Sequence, residues 1–284
     1  MAPDFLASQE NLPKLGIIAG GGALPGLLAA ACKASDRSHY ILGLTGFADS
    51  AGLPADEWIR VGDIGKGFAA LNAASVKEVV LAGSVRRPAI AELKTDFKGA
   101  AFLARIAGRA LGDDGLLSAV IGEIEREGFK VVGADSILAH LLAPAGVLGR
   151  HRPDDTALSD ITRGFDVALA LGAADVGQAV IVQQGIVLGV EAAEGTDALI
   201  ARCAGLRLEG PGGVLVKAKK PQQERRADLP TVGVTTVRNV KAIGLRGIAV
   251  EAGHTLMIGL PDIIAAADDA GLFVTGVTLS KPKA

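Results

Sequence analysis

Short, uninterrupted apolar runs separated by helical patterns dominate the first half of the chain. Leu15 to Ala19 reads as a strand and passes through a glycine turn into a helix from about Leu24 to Lys33. Tyr40 to Leu44 gives a second strand and Glu57 to Val61 a short third. Ile64 to Ala74 carries helical spacing, and Glu78 to Ala82 (EVVLA) is another strand. Residues 98–109 and 113–127 read as successive amphipathic helices before Phe129 to Val132 returns as a strand. These strands lack polar alternation, as strands buried on both faces do. The prediction is an α/β fold whose N-terminal part is a Rossmann-like parallel sheet with helices on both faces.

Proline, glycine and charge collect in PAGVLGRHRPDD, Pro144 to Asp155, which reads as a linker. It divides the chain into domains 1–145 and 146–284. Beyond it, Ala179 to Gln183 and Ile186 to Val190 flank Gln184-Gly185 as a hairpin. A helix is expected from near Thr196 and a strand at Val214 to Val216. Ile248 to Glu251 and Thr255 to Ile258 flank Ala252-Gly253 as a second hairpin, followed by a helix at 260–270 and a strand at 272–274. That mixture predicts a C-terminal α/β domain with a mixed sheet.

Composition narrows the class. A chain of 284 residues exceeds what one core usually fills, in keeping with two domains. With 49% hydrophobic but only 4% aromatic residues, the core is built from Ala, Val, Leu and Ile. A net charge of −2 lacks the basic excess of a nucleic-acid binder. Cys32 and Cys203 cannot make a disulfide framework, so a reducing cytoplasm fits best. Residues 15–32 are uncharged and end in LAAAC, which resembles an export anchor. Asp4 and Glu10 before it, and Gly20 to Gly22 and Pro25 within it, argue against that reading. No other segment reaches spanning length.

Several segments carry chemistry. In IAGGGALP, Gly20, Gly21 and Gly22 lead a strand into a helix, offering free amides and a positive helix end to an anion. Pro25 stands where a dinucleotide fingerprint wants its third glycine, and the strand ending at Leu44 lacks the acidic ribose ligand. A tight turn for close helix packing is the plainer alternative. In AGSVRRP, Ser84 and Arg86 follow a strand end where parallel sheets bind ligands, with a solvated arginine pair as the alternative. Asp113-Asp114 reads first as a helix cap, and Asp154-Asp155 and Asp268-Asp269 as solvated pairs. The four histidines share no ligand spacing, so zinc is not expected.

The second half is sharper. VEAAEGTDAL brings Glu191 and Glu194 to a strand end and Gly195, Thr196 and Asp197 to a helix start. The segment KAKKPQQERRADLPTVG follows, Lys217 to Gly233. Its Lys219 and Lys220 read as solvated, whereas Lys217 and Asp228 each border apolar sequence. A lysine beside a carboxylate can hold a phosphate and a hard cation together, since magnesium needs only one or two protein carboxylates.

With AGSVRRP, GDD and the closing ADDAGLFVTGV, these motifs stand in an order that resembles the LpxI-type UDP-2,3-diacylglucosamine pyrophosphatases of lipid A synthesis, over nearly the whole chain. The resemblance implies two α/β domains cradling a lipid-linked nucleotide sugar, with the C-terminal domain catalytic. It implies magnesium-dependent hydrolysis to UMP and 2,3-diacylglucosamine 1-phosphate, with water attacking the sugar-side phosphorus. Asp228 is then the residue for metal binding or water orientation, and Thr196 and Lys217 bind phosphate. Glu194, Asp197 and Gln223 contact substrate or metal, and the glycine loop with Ser84 and Arg86 meets the UDP portion. An apolar cavity for two acyl chains and transient contact with the inner-membrane surface are expected, since each buried methylene contributes about 0.8 kcal/mol. Oligomeric state stays open, a homodimer included. Two rivals stay open as well: a nucleotide-cofactor oxidoreductase, and a non-catalytic binding protein for a UDP-sugar or lipid.

Overall fold

In the computed structural model, residues 12–86, 94–106, 113–221, 226 and 229–279 are described. The chain divides into two units, Met1–Leu138 with Glu224–Ala227, and Ala139–Gln223 with Asp228–Ala284.

The first unit runs β1 (Leu15–Ala19), α1 (Leu24–Ala34), β2 (His39–Leu44), β3 (Glu57–Ile59), α2 (Ile64–Ala73), β4 (Glu78–Ala82), α3 (Phe97–Ile106), α4 (Asp113–Arg126), β5 (Lys130–Val131) and α5 (Ala134–Ile137). Its strands are all parallel, in the order β3-β2-β1-β4-β5. Burial on both faces explains the lack of alternation: Leu15, Ile17, Leu42 and Val79 are almost fully enclosed. Strand order reverses between β1 and β4, the point at which such sheets leave a crevice at the C-terminal strand ends. The expected cap at Asp113 involves residues 107–112 and its own side chain, which lie outside the described residues. A visible cap is Asp96, whose carboxylate accepts the Gly99 amide of α3 at 2.8 Å and the Lys66 amide of α2 at 3.0 Å.

The second unit runs β6 (Gly146–Val147), α6 (Asp155–Ala173), β7 (Ala179–Gln183), β8 (Ile186–Val190), α7 (Thr196–Cys203), β9 (Val214–Lys217), β10 (Thr231–Gly233), α8 (Val234–Ala242), β11 (Gly247–Glu251), β12 (Leu256–Ile258), α9 (Leu260–Ala270) and β13 (Phe273–Val277). Six strands form a mixed sheet, β6-β13-β11-β9-β7-β8, and β10 pairs with β12 in a separate parallel ribbon. Strand parity sorts the core. Ala179, Ile181, Leu215 and Ile248 face α7, α8 and α9. Val180, Val182, Val214 and Val216 face Ile161 and Phe165 of α6. Both faces are apolar, so the helices on either side each bury about 1.5–3 kcal/mol per large aliphatic contact residue.

Three expectations need correction. The stretch 144–155 is built into the second unit and is not a loose linker: β6 pairs antiparallel with β13, and Asp154 caps α6 by accepting the Ala157 amide at 2.8 Å. Asp154 also pairs with Arg246, and Asp268 accepts the Arg150 amide at 2.7 Å, so neither is simply solvated. The hairpin expected around Ala252-Gly253 does not form. Both edges of β11 are already occupied by β9 and β13, leaving none for β12. The turn is carried outward by Gly253 donating to Ala143 O at 2.9 Å, and β12 finds β10 instead. The sequence reading assigned no element to α6, β10 or α8.

Candidate active site

The two loops at the crevice of the first unit are one structure. Gly20 donates its amide to Ala82 O at 2.7 Å, and Gly21 and Ser84 exchange backbone bonds at 2.8 and 3.0 Å. A Cβ on Gly20 would lie 2.6 Å from Ser84 O, and one on Gly83, whose φ is +87°, would lie 2.3 Å from Gly21 O. Close loop packing therefore requires these glycines. The turn still leaves amides for a ligand. Gly22, Ala23 and Leu24, at the start of α1, have no backbone acceptor among the described residues. Ser84 and Arg86 are exposed at the same edge. An anion would meet free N–H groups and a positive helix end there.

In the second unit, two strands bring buried polar groups to one level on either side of a third. Lys217, the last residue of β9, stands directly opposite Ala179 of β7. Glu191, just past β8, returns its amide to Ala179 O at 2.8 Å. Val216 and Val190 pack toward α6, so parity turns Lys217 and Glu191 to the α7 face. Strands β8 and β9 flank β7, which places the two backbones roughly 10 Å apart, two strand spacings. Lys217 is 4% exposed and Glu191 7%. The Lys217 ammonium donates to Thr231 O at 3.0 Å. The Glu191 carboxylate accepts the Gln178 amide at 3.2 Å and the Thr196 hydroxyl at 2.7 Å.

Thr196 opens α7 after Gly195, whose φ of 82° aims the chain into the helix. The amides of Thr196, Asp197 and Ala198 have no backbone acceptor among the described residues. Lys217 and Thr196 thus share one sheet edge. Glu194 and Asp197 are engaged elsewhere. Glu194 pairs with Arg202 at 2.9 Å, and hydrogen bonds from its own amide and from Arg202 hold its carboxyl below the ordinary glutamate range. Asp197 accepts Asn239 Nδ2 of α8 at 2.8 Å. Asp228 and Gln223 lie outside the described residues. The sequence reading noted Glu191 only as a strand-end carboxylate and passed over Glu251, which accepts the Lys219 amide at 2.9 Å. Strand parity in β8 was the available signal for Glu191.

Among the described residues, no group of three or more His, Cys, Asp or Glu is placed to hold a metal ion. The donors at the Lys217 edge are the Thr196 hydroxyl and the Glu191 carboxylate, all oxygen, which suits a hard cation and not a soft one. Among the described residues, no helix is long and apolar enough to cross a membrane.

Comparison with known proteins gives two matching family models. The LpxI N-terminal domain matches residues 14–141 and the LpxI C-terminal domain matches residues 144–275. A protein of Caulobacter vibrioides named UDP-2,3-diacylglucosamine pyrophosphatase LpxI is 44% identical over 273 residues, 93% of this chain and 97% of that protein. Among solved structures, CobK precorrin-6A reductase aligns with 95% of this chain and 91% of its own length, at 11% identity and a TM-score of 0.34. A likeness that distant carries no argument about fold or function.

Proposed function

The chain belongs to the LpxI family, and from that premise we propose that it hydrolyses UDP-2,3-diacylglucosamine to UMP and 2,3-diacylglucosamine 1-phosphate in lipid A biosynthesis. The observation that carries the reading is that buried Lys217, at the end of β9, and the amide-bearing start of α7, just past β8, lie at the same edge of one sheet. A buried ammonium offsets charge on phosphoryl oxygens far more strongly than one in water. The amides at Thr196 to Ala198, which have no backbone acceptor among the described residues, add donors for the same oxygens.

Water attacks the sugar-side phosphorus, its oxygen stays with the sugar phosphate, and UMP leaves with the bridging oxygen. Asp228 orients that water or holds magnesium, and Gln223 lies in the same loop sequence. Magnesium, if bound, would be held by Asp228 and would supply positive charge against the negative charge developing on the phosphate. We place the protein in the cytoplasm, with contact to the inner-membrane surface when it takes up its lipid substrate.

The test is turnover by the purified chain. With magnesium it should release UMP, Asp228→Ala should abolish release without lowering the melting temperature, and a strong chelator should stop the reaction. Absence of UMP release by the wild type would leave a binding protein in its place. A rise in melting temperature with NAD or NADP would favour the oxidoreductase.

A further inference from the structure

Thr196 has one hydroxyl proton and two lone pairs. Its proton is already committed, because Oγ1 donates to Glu191 Oε1 at 2.7 Å. The Glu191 carboxylate is 7% exposed and held from the other side by the Gln178 amide on Oε2 at 3.2 Å. Gln178 is itself fixed, since its carbonyl accepts the Ala218 amide, next to Lys217, at 3.0 Å. With the carboxylate held this way, turning the hydroxyl elsewhere would leave a buried carboxylate oxygen without its donor. The side chain of Thr196 is then left with lone pairs only, and a phosphate oxygen offers it nothing to accept.

We propose that Glu191 is a positioning residue that fixes the Thr196 hydroxyl as an acceptor, so that this oxygen takes an electron-poor group and not a phosphate oxygen. The electron-poor group is either a divalent cation or an N–H or O–H of the sugar; both present the same chemistry to a lone pair. The inference rests on the pyrophosphatase reading. It assigns phosphate binding at this edge to Lys217 and the α7 amides, and separates the Thr196 side chain from that work.

Glu191→Gln is the informative variant. Opposite the Gln178 N–H, a glutamine must place its carbonyl oxygen, so its NH₂ faces Thr196 and donates to it. The Thr196 proton is then released outward, and the acceptor becomes a donor. In the full chain, Glu191→Gln and Thr196→Val should each lower kcat/KM for UMP release by about tenfold or more, while Thr196→Ser stays within about threefold. The double variant should be no worse than about the Thr196→Val single, because both act through one oxygen.

Calorimetry separates the two sources. If the oxygen meets a cation, both variants weaken binding of magnesium alone; if it meets the sugar, magnesium binding is unchanged and KM rises at saturating magnesium. Binding of UMP alone should be unaffected by Thr196→Val. Three results would overturn the inference: Glu191→Gln at wild-type kcat/KM beside an impaired Thr196→Val, Thr196→Val at wild-type kcat/KM, or weakened UMP binding in Thr196→Val. The last needs no folded Glu191→Gln. A wild type that releases no UMP would instead remove the pyrophosphatase reading.

Discussion

Asp160 of α6 accepts the Gly185 amide at 2.7 Å and the Gln184 amide at 3.1 Å, so the longest helix of the second unit holds the β7–β8 turn. Gln184 and Gly185 both have positive φ, 53° and 78°, the geometry of a two-residue hairpin turn matched to strand twist. Asp160 is wholly buried, and the Arg246 guanidinium, which also bonds Asp154, stands 3.5 Å from its Oδ2. Asp160→Ala removes the acceptor of two turn amides and leaves the Arg246 guanidinium with Asp154 alone, and should cost about 2–4 kcal/mol. Asp160→Asn, which keeps one acceptor, should cost about 1–3 kcal/mol. Denaturant titration at neutral pH reads both.

Gly83→Ala addresses the crevice of the first unit. Its Cβ would meet Gly21 O at 2.3 Å from a left-handed backbone, so the Gly20–Gly21 and Gly83–Ser84 loops must separate. A loss of about 1–3 kcal/mol is expected. Binding of UMP should weaken alongside, measured by calorimetry. Unchanged UMP affinity would place the nucleotide elsewhere.

Acid should weaken the first unit through Glu78 and Asp63. Burial pushes the Glu78 carboxyl up, but hydrogen bonds and charge from Lys130 and Arg37 outweigh it and hold the carboxyl below its ordinary range. A hydrogen bond from Arg60 does the same for Asp63. A carboxyl depressed in the folded chain gives its full stability above the unfolded value, about 4.3 for glutamate, and loses it as pH falls through the folded value. Melting temperature should therefore drop below about pH 4.3, and Glu78→Gln should lower it at pH 7 while flattening its acid dependence. A parallel drop in variant and wild type would contradict this.

Lys217→Met keeps the length and the apolar surroundings of β9 but removes the ammonium. A loss in kcat/KM of about 100-fold or more is expected, the scale of one electrostatic donor to a developing oxyanion. Circular dichroism should show the fold retained. In parallel, hydrolysis in ¹⁸O-water should place the label in the sugar phosphate; label in UMP would move the attack to the other phosphorus.

Local signals carried much of the fold. The strand–glycine–helix at Leu15 to Ala34 and the Gln184-Gly185 hairpin were legible because both depend on neighbours in sequence. In α6, Ala157, Ile161, Phe165 and Ala168 recur at helical spacing, and Asp154 caps it; the signal was present but masked by the charge and proline just before it. Helix α8 is different. Its sequence VTTVRNVKA is rich in β-branched residues and argues locally for a strand. Burial of Val237 and Val240 against the sheet overrides that preference.

By itself the sequence determined the two α/β halves and the both-faces-buried strands, because apolar periodicity and motif order are properties of the chain. Only the tertiary structure decided that Gly20 to Gly22 and Ser84 form a single crevice wall, that β12 leaves β11 for β10, and that Glu191 stands behind Thr196. Each of these depends on which strand edges and buried carboxylates are already taken. Residues far apart in sequence settle the first two, as Asp160 does for the β7–β8 turn 24 positions on, and the Glu191–Thr196 bond, five positions long, depends on Gln178 holding the carboxylate from just before the neighbouring strand.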